Sequence, residues 1–328
     1  MPAAISYILY TLGLNVFLAT PWSDPAYFGI GDENNNYGRV LGAAESVAKP
    51  LDTVINTITK GLPENSDKPL PPQKKIDCED IDISAESALA FDVNTKSILF
   101  QKDIHKIWPI ASITKLMTAL VFLENNPGWD TIYKIQKDDR REGGKIYLYL
   151  GEEVSIKDLF YTSLVGSANT ATIALVHSTG MTEEEFVAKM NEKAQNMGLE
   201  ETVFYDPVGL EENTSTAWEL VEIVNEAMNQ ESIKEAVSTS KYEFETLQGK
   251  TKIIENTDAL LEDFPQNGIK ILGGKTGYNG PSGYCFSGMF SNENGNEVIS
   301  VVLGTDNINS RFSLTKKLVE WVYNNYEF

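Results

Sequence analysis

The sequence predicts an α+β fold, in which a mostly antiparallel sheet is flanked by helices and interrupted by an inserted all-helical subdomain. Three observations carry that prediction. A hairpin-like pair of strands lies near residues 87–101, a long helix-forming block follows it, and strand-like segments then return before one closing amphipathic helix. With 328 residues, 42% of them hydrophobic, the chain is long enough to bury a sizeable core.

Residues 3–20, AAISYILYTLGLNVFLAT, carry no charge, and the first basic residue is Arg39. Residues 1–20 therefore read as a signal peptide or membrane anchor, near the minimum length of a spanning helix and diluted by Ser6, Thr11, Gly13 and Asn15. Residues 21–76 read as a linker or tether, with turn formers over 21–38, a mediocre amphipathic stretch over 40–61 broken at Pro50, and a polar tail rich in Pro and Lys. The remaining 77–328 form the candidate catalytic domain. SALAFDV (87–93) and SILFQ (97–101) make a hairpin around Asn94-Thr95-Lys96. A helix runs from Pro109 to about Asn125, and residues 155–237 are mostly helical, with breaks at Gly166, Gly180, Gly198 and Pro207-Val208-Gly209. Strands follow over 241–247, 250–255, 268–277, 283–290 and 296–304, the last two joined through Asn294-Gly295. The final helix spans about 310–326, with Phe312, Leu314, Leu318, Val319 and Val322 on its apolar face.

Composition narrows the chemistry. Against 27 Lys and Arg stand 47 Asp and Glu, a net charge of −20, which opposes nucleic-acid binding through phosphate neutralisation. The only histidines, His105 and His177, have no metal-ligand spacing, and Cys78 and Cys285 form no CxxC pair, so neither a metal nor another cofactor is expected. The two cysteines read as unpaired, Cys285 being buried in a strand.

The helix PIASITKLMTALVFLEN is apolar nearly all round and belongs in the core. A lysine buried there loses its proton more easily, and Lys115 stands three residues after Ser112, the spacing that stacks two side chains on one helical face. Ser112 sits near the helix start, where backbone N–H groups favour an oxyanion. The pair follows the logic of a nucleophile beside its activating base. Ser167-Ala168-Asn169 opens the next helix; taken alone, Ser167 reads as its N-cap. Gly273-Gly274-Lys275-Thr276-Gly277 ends a strand, and glycines there permit close approach of a ligand backbone. A lysine and a threonine on such an edge suit a terminal carboxylate, although taken alone the segment also reads as a Gly-rich turn.

The order SxxK, SxN, KTG is the motif set of class A β-lactamases and penicillin-binding proteins. From about residue 84 onward the chain resembles the serine D-alanyl-D-alanine carboxypeptidases, the low-molecular-mass penicillin-binding proteins. The resemblance runs through WPIASITKLMTAL, YLYLGEEVSIKDLFYTSLVGSANTATIAL, FVAKMNEKAQNMGLEETVFYDPVGL, Ser215-Thr216 and GGKTGYNGPSGYCFSG. It implies a β-lactamase/transpeptidase-like fold and removal of the terminal D-Ala from peptidoglycan stem peptides through an acyl-enzyme. Ser112 would be the nucleophile, Lys115 its base, Ser167 a proton relay and Asn169 a holder of Lys115 and the substrate amide. Lys275-Thr276-Gly277-Tyr278 would bind substrate, with Lys275 and Thr276 on the terminal carboxylate and the N–H groups of Ser112 and Tyr278 forming the oxyanion hole. β-Lactams would acylate Ser112, and the enzyme would act on the extracytoplasmic side, secreted or anchored through its N-terminus.

Three alternatives stand beside it: a D,D-endopeptidase cutting cross-links, an inert wall-binding relative, and a class A β-lactamase, which the absence of an ExxLN-like segment opposes. Two departures from the family pattern are Thr170, where an acid usually follows the Asn, and Asn279-Gly280-Pro281-Ser282-Gly283 after KTG. Residues 182–263 carry 20 acidic and 6 basic side chains, most of which read as a solvated helical face.

Overall fold

The computed structural model describes residues 69–264 and 267–328; the expected N-terminal segment and nearly all of the expected tether lie outside them. In chain order the elements are β1 (Gln73–Lys74), β2 (Ser87–Asp92), β3 (Ser97–Lys102), β4 (Trp108–Pro109), a 3₁₀ turn at Ala111–Ile113, α1 (Thr114–Glu124), β5 (Ile132–Lys134), a 3₁₀ turn at Lys137–Asp139, β6 (Glu153–Ser155), α2 (Ile156–Val165), α3 (Asn169–Ser178) and α4 (Glu183–Asn196). There follow β7 (Thr214–Ser215), α5 (Ala217–Met228), α6 (Glu231–Ser238), β8 (Lys241–Glu245), β9 (Thr251–Glu255), α7 (Leu260–Asp263), β10 (Lys270–Asn279), β11 (Gly283–Ser291), β12 (Glu297–Thr305), α8 (Ile308–Asn325) and β13 (Tyr326–Glu327). β1 pairs with β13, so residues just ahead of 77 join the folded unit.

Five strands form one antiparallel sheet in the order β10-β11-β12-β2-β3. Its centre is covered on both faces, which is why β2, SALAFD, has no polar face and is buried at every position. Ala88, Ala90, Val298 and Val302 pack against Leu318 and Val322 of α8, while Leu89, Phe91, Ile299, Val301 and Leu303 pack against the helical block. The alternation along β2 and β12 thus divides the core into two layers. In α1, all nine positions from Thr114 to Phe122 are buried, as its all-round apolar sequence requires. Ser155 and Asp158 close a capping box at the start of α2.

β10 is one of the sheet's two edge strands, paired on one side with β11, and its other side faces the helical block. That edge, the start of α1 and the turn between α2 and α3 enclose the site. Both cysteines are free, Cys285 buried and Cys78 partly exposed. Among the described residues no helix is long and apolar enough to cross a membrane, and no cluster of His, Cys, Asp and Glu could hold a metal.

Candidate active site

A cleft of about 580 Å³ is lined by Ser112, Ser167, Asn169, Thr276, Gly277, Tyr278 and Arg311, among others. The catalytic and substrate-binding candidates picked from the sequence therefore converge there, with Lys115 and Lys275 buried behind its surface.

Ser112 lies in the 3₁₀ turn that runs straight into α1, after Ala111, whose backbone is left-handed at φ 45°. Lys115 is 0% exposed. Its Nζ lies 2.8 Å from Ser112 Oγ, 2.9 Å from Asn169 Oδ1 and 2.7 Å from the carbonyl of Val208. Burial drives the amine down to about 7, partly opposed by the negative field of Asp206. A neutral amine keeps two N–H groups, enough for Asn169 and Val208, and turns its lone pair to the Ser112 hydroxyl. That is the arrangement of a base beside a nucleophile at neutral pH.

The loop carrying Val208 is itself tightly held. The Asp206 carboxylate accepts from the backbone N–H groups of Val208, Gly209 and Glu211, each at 2.6 Å. Asn213 donates to the Thr114 hydroxyl at 3.0 Å and to the Asp206 carbonyl at 2.8 Å, tying the loop to α1. Gly209, at φ 85°, passes so close to the nucleophile turn that a β-carbon would sit 2.0 Å from the Ala111 carbonyl oxygen. Asp206 is buried, and so are Glu219 and Asp258, three exceptions to the solvated face expected for most of the acidic charge over 182–263. Each accepts at least one backbone N–H, which replaces part of the water it has lost.

Ser167 does not cap the helix that follows. The N-cap is Ala168, which makes no side-chain cap bond, and Ser167 is left-handed at φ 53°. Its hydroxyl is turned instead toward Lys275, whose Nζ donates to it at 2.8 Å. Asn169 donates through Nδ2 to the carbonyls of Glu142 and Gly143, both at 3.1 Å, so a single amide bridges Lys115 and the loop on the far wall. Thr170 accepts weakly from the Arg141 N–H at 3.4 Å, giving the non-acidic residue after Asn169 a place in the same wall.

Lys275 is 1% exposed and its pKa is held well below the ordinary lysine value by burial, with the neighbouring Lys115 and Arg311 adding to the shift. Thr276 shares a hydroxyl–hydroxyl bond of 2.7 Å with Thr257. Gly277 approaches the nucleophile turn so closely that a β-carbon would meet the Ile110 carbonyl at 2.6 Å. Its own carbonyl accepts from Arg311 Nη1 at 3.1 Å. Tyr278 is 56% exposed at the rim and stacks on Tyr284, with ring centroids 4.1 Å apart. The turn after it is fastened by paired Asn279 and Ser282 side-chain bonds to each other's backbone N–H, and Asn279 Nδ2 also donates to the Gly209 carbonyl at 3.3 Å.

The family model for D-alanyl-D-alanine carboxypeptidase, peptidase S11, matches residues 73–307. The chain belongs to this family. D-alanyl-D-alanine carboxypeptidase DacF of Bacillus subtilis is 31% identical over 256 residues, covering 74% of this chain and 63% of the relative's length. D-alanyl-D-alanine endopeptidase of Haemophilus influenzae is 34% identical over 241 residues, 72% of this chain and 81% of that protein. The crystal structure of the Streptomyces K15 DD-transpeptidase superposes with a TM-score of 0.70 at 27% identity, covering 75% of this chain and 99% of the other. The fold expectation, α+β with the transpeptidase-like sheet, therefore holds, and as an S11 member the chain is a D-alanyl-D-alanine peptidase.

Several members of this S11 site carry no local sequence signal. Thr257 and Arg311 line the cleft and Asp206 holds the loop of Val208 beside Lys115; they lie 145, 199 and 94 residues after Ser112, and only the fold brings them together. The histidines stay out of it. His177 binds the buried Asp139 at 2.6 Å, and His105 packs beside Trp218.

Proposed function

We propose that this chain is a serine D,D-carboxypeptidase that removes the terminal D-Ala from peptidoglycan stem pentapeptides through an acyl-enzyme. The observation that carries the reading is the fully buried Lys115, its amine near pKa 7 and 2.8 Å from Ser112 Oγ. Ser112 Oγ attacks the carbonyl of the penultimate D-Ala as its proton passes to Lys115 Nζ. Negative charge on the carbonyl oxygen is met by the N–H groups of Ser112 and Tyr278, a contribution typically worth about 10²- to 10³-fold in rate per donor. The bond to the terminal D-Ala then breaks, and its amine takes a proton relayed through Ser167. Lys275 and Thr276 hold the terminal carboxylate, and Asn169 orients Lys115 and the substrate amide. Water attacks the ester with Lys115 again as base, releasing the tetrapeptide and restoring Ser112.

β-Lactams mimic the dipeptide and acylate Ser112. The substrate lies outside the cytoplasmic membrane, and residues 1–20 export or anchor the domain, with the chain from 21 to about 72 as its tether, since Gln73 and Lys74 already pair with β13. The full chain should release D-Ala from a stem pentapeptide and bind a fluorescent penicillin covalently, and Ser112→Ala should do neither. Retained D-Ala release in that variant would sink the assignment.

A second reading, D,D-endopeptidase, is favoured by the 34% identity to a relative bearing that name. Digestion of a purified cross-linked muropeptide dimer separates the two: cleavage at a rate comparable to pentapeptide trimming selects the endopeptidase.

A further inference from the structure

Ser167 turns its hydroxyl to Lys275 from a left-handed backbone, φ 53°, a conformation that persists in a serine only where the surroundings impose it. Those surroundings meet at the preceding residue. Gly166 lies between the Tyr147 ring and the Ile254 side chain, which a β-carbon there would meet at 2.7 and 2.8 Å. Tyr147 belongs to residues 140–152, a stretch without helix or strand whose Gly143, Gly144, Lys145 and Tyr147 line the cleft. Ile254 belongs to β9.

One lysine joins the two. Lys252 stands two residues before Ile254 on the same face of β9, and its Nζ donates to the Tyr147 carbonyl and to Glu152 Oε1, each at 2.9 Å. The Glu152 carboxylate also accepts the Tyr149 N–H at 3.0 Å and is reached by Lys250 at 3.1 Å. The side chains of Glu152 and Lys252 are 4% and 11% exposed, so little water competes for these charge-assisted bonds. The carbonyl of Tyr147 and the N–H of Tyr149 are thereby fastened to β9. Just beyond β9, the Thr257 N–H donates to the Val165 carbonyl at 3.1 Å, which ties the strand end to the turn that carries Gly166. Lys252 and Glu152 stand behind the wall, outside the residues that line the cleft.

We propose that Lys252 is a positioning residue for Ser167: bound to Glu152, it holds the Tyr147 wall and β9 against the two sides of Gly166 and so fixes the turn that aims the Ser167 hydroxyl. It acts through that turn and touches neither substrate nor reacting atoms. Without it the wall loses its tie to β9, Gly166 gains room, and the Ser167 hydroxyl moves out of line with the departing amine. A displacement of about 1 Å in such a group costs about 10²-fold in rate. The nucleophile and its base are held separately, on α1 and by the Val208 loop, so the loss falls on the step in which the amine takes its proton. The inference rests on the reading of Ser167 as the proton relay.

The test compares two substrates in the full chain, unsubstituted and as Lys252→Met. One is a D-Ala-D-Ala peptide; the other is the same peptide with sulfur in place of the scissile nitrogen, whose thiolate departs without a proton. The readout is kcat/KM, which reports acylation. For the amide it should fall about ten- to a hundredfold, and for the thioester by less than about threefold. Ser167→Ala should show the same split. Lys252→Arg, which keeps a cation for Glu152 and a donor for the Tyr147 carbonyl, should recover most of the amide rate. Glu152→Gln, which keeps an acceptor for the Tyr149 N–H, should give a split of the same sign and replaces Lys252→Met should that variant not fold. An equal fall on both substrates, or no fall on the amide, overturns the proposal. A Ser167→Ala variant without the split would instead overturn the relay reading, and failure of the unsubstituted chain to release D-Ala at all would overturn the carboxypeptidase reading.

Discussion

Acylation of Ser112 should fail on the acid side of neutrality, and its midpoint should report Lys115. Only the neutral amine can take the serine proton. With Lys115 near 7, about half of it is neutral at pH 7, about one tenth at pH 6 and about one hundredth at pH 5. At its ordinary value of 10.5 only about one molecule in three thousand would hold a neutral base at pH 7. Burial therefore accounts for roughly 3 units, or about 4 kcal/mol, of base availability. The assay is the second-order rate of labelling by a fluorescent penicillin between pH 5 and 8, with circular dichroism confirming the fold at each pH. The rate should fall about tenfold per unit below 7. Asp206→Asn should displace the midpoint to lower pH, because the Asp206 charge is what partly holds the amine up. A rate that stays flat down to pH 5, or a midpoint that rises in Asp206→Asn, would refute the assignment of Lys115 as the base.

Further outcomes follow from the same geometry. Asp258 has a folded-state carboxyl near 7 against an ordinary 3.8, so the unfolded chain ionises first and stability declines as pH rises from about 4 to 7, by roughly 4 kcal/mol. Asp258→Asn should therefore melt several degrees higher than the unsubstituted chain at pH 8 and at nearly the same temperature at pH 4; a lower melting point at pH 8 would contradict this. Gly209→Ala places a β-carbon 2.0 Å from the Ala111 carbonyl oxygen at a left-handed position, and should cut penicillin labelling by about a hundredfold through displacement of the Ser112 turn. Near-normal labelling would show that the turn can yield. Burial pushes the Cys285 thiol up to about 11, so a thiol reagent at pH 8 should count Cys78 alone in the native described domain and both cysteines after denaturation.

The elements most legible in the sequence were those whose pattern is local. The hairpin over 87–101, the Asn294-Gly295 turn and the core helix after Pro109 all follow from short-range periodicity and turn chemistry, and each stands within a few residues of its expected place. The Ser112–Lys115 pair was legible for the same reason, since i and i+3 on a helix must meet. Ser167 was not. Its local surroundings describe a helix cap, and what turns its hydroxyl to Lys275 is a left-handed backbone and a strand 108 residues away.

The sequence by itself settled which chemical groups were available: one serine and one lysine on a core helix, a second serine and an asparagine at a helix start, a lysine and a threonine on a glycine-rich strand. It also placed the net charge of −20, though not the three acids that the fold buries. Only the tertiary structure decided how those groups behave. An amine near 7, a carboxyl near 7 and a lysine held well below its ordinary value arise from burial and from neighbours far apart in the chain. Desolvation and charge proximity depend on distance in space, and no spacing along a chain encodes that distance until the sheet and helices have packed.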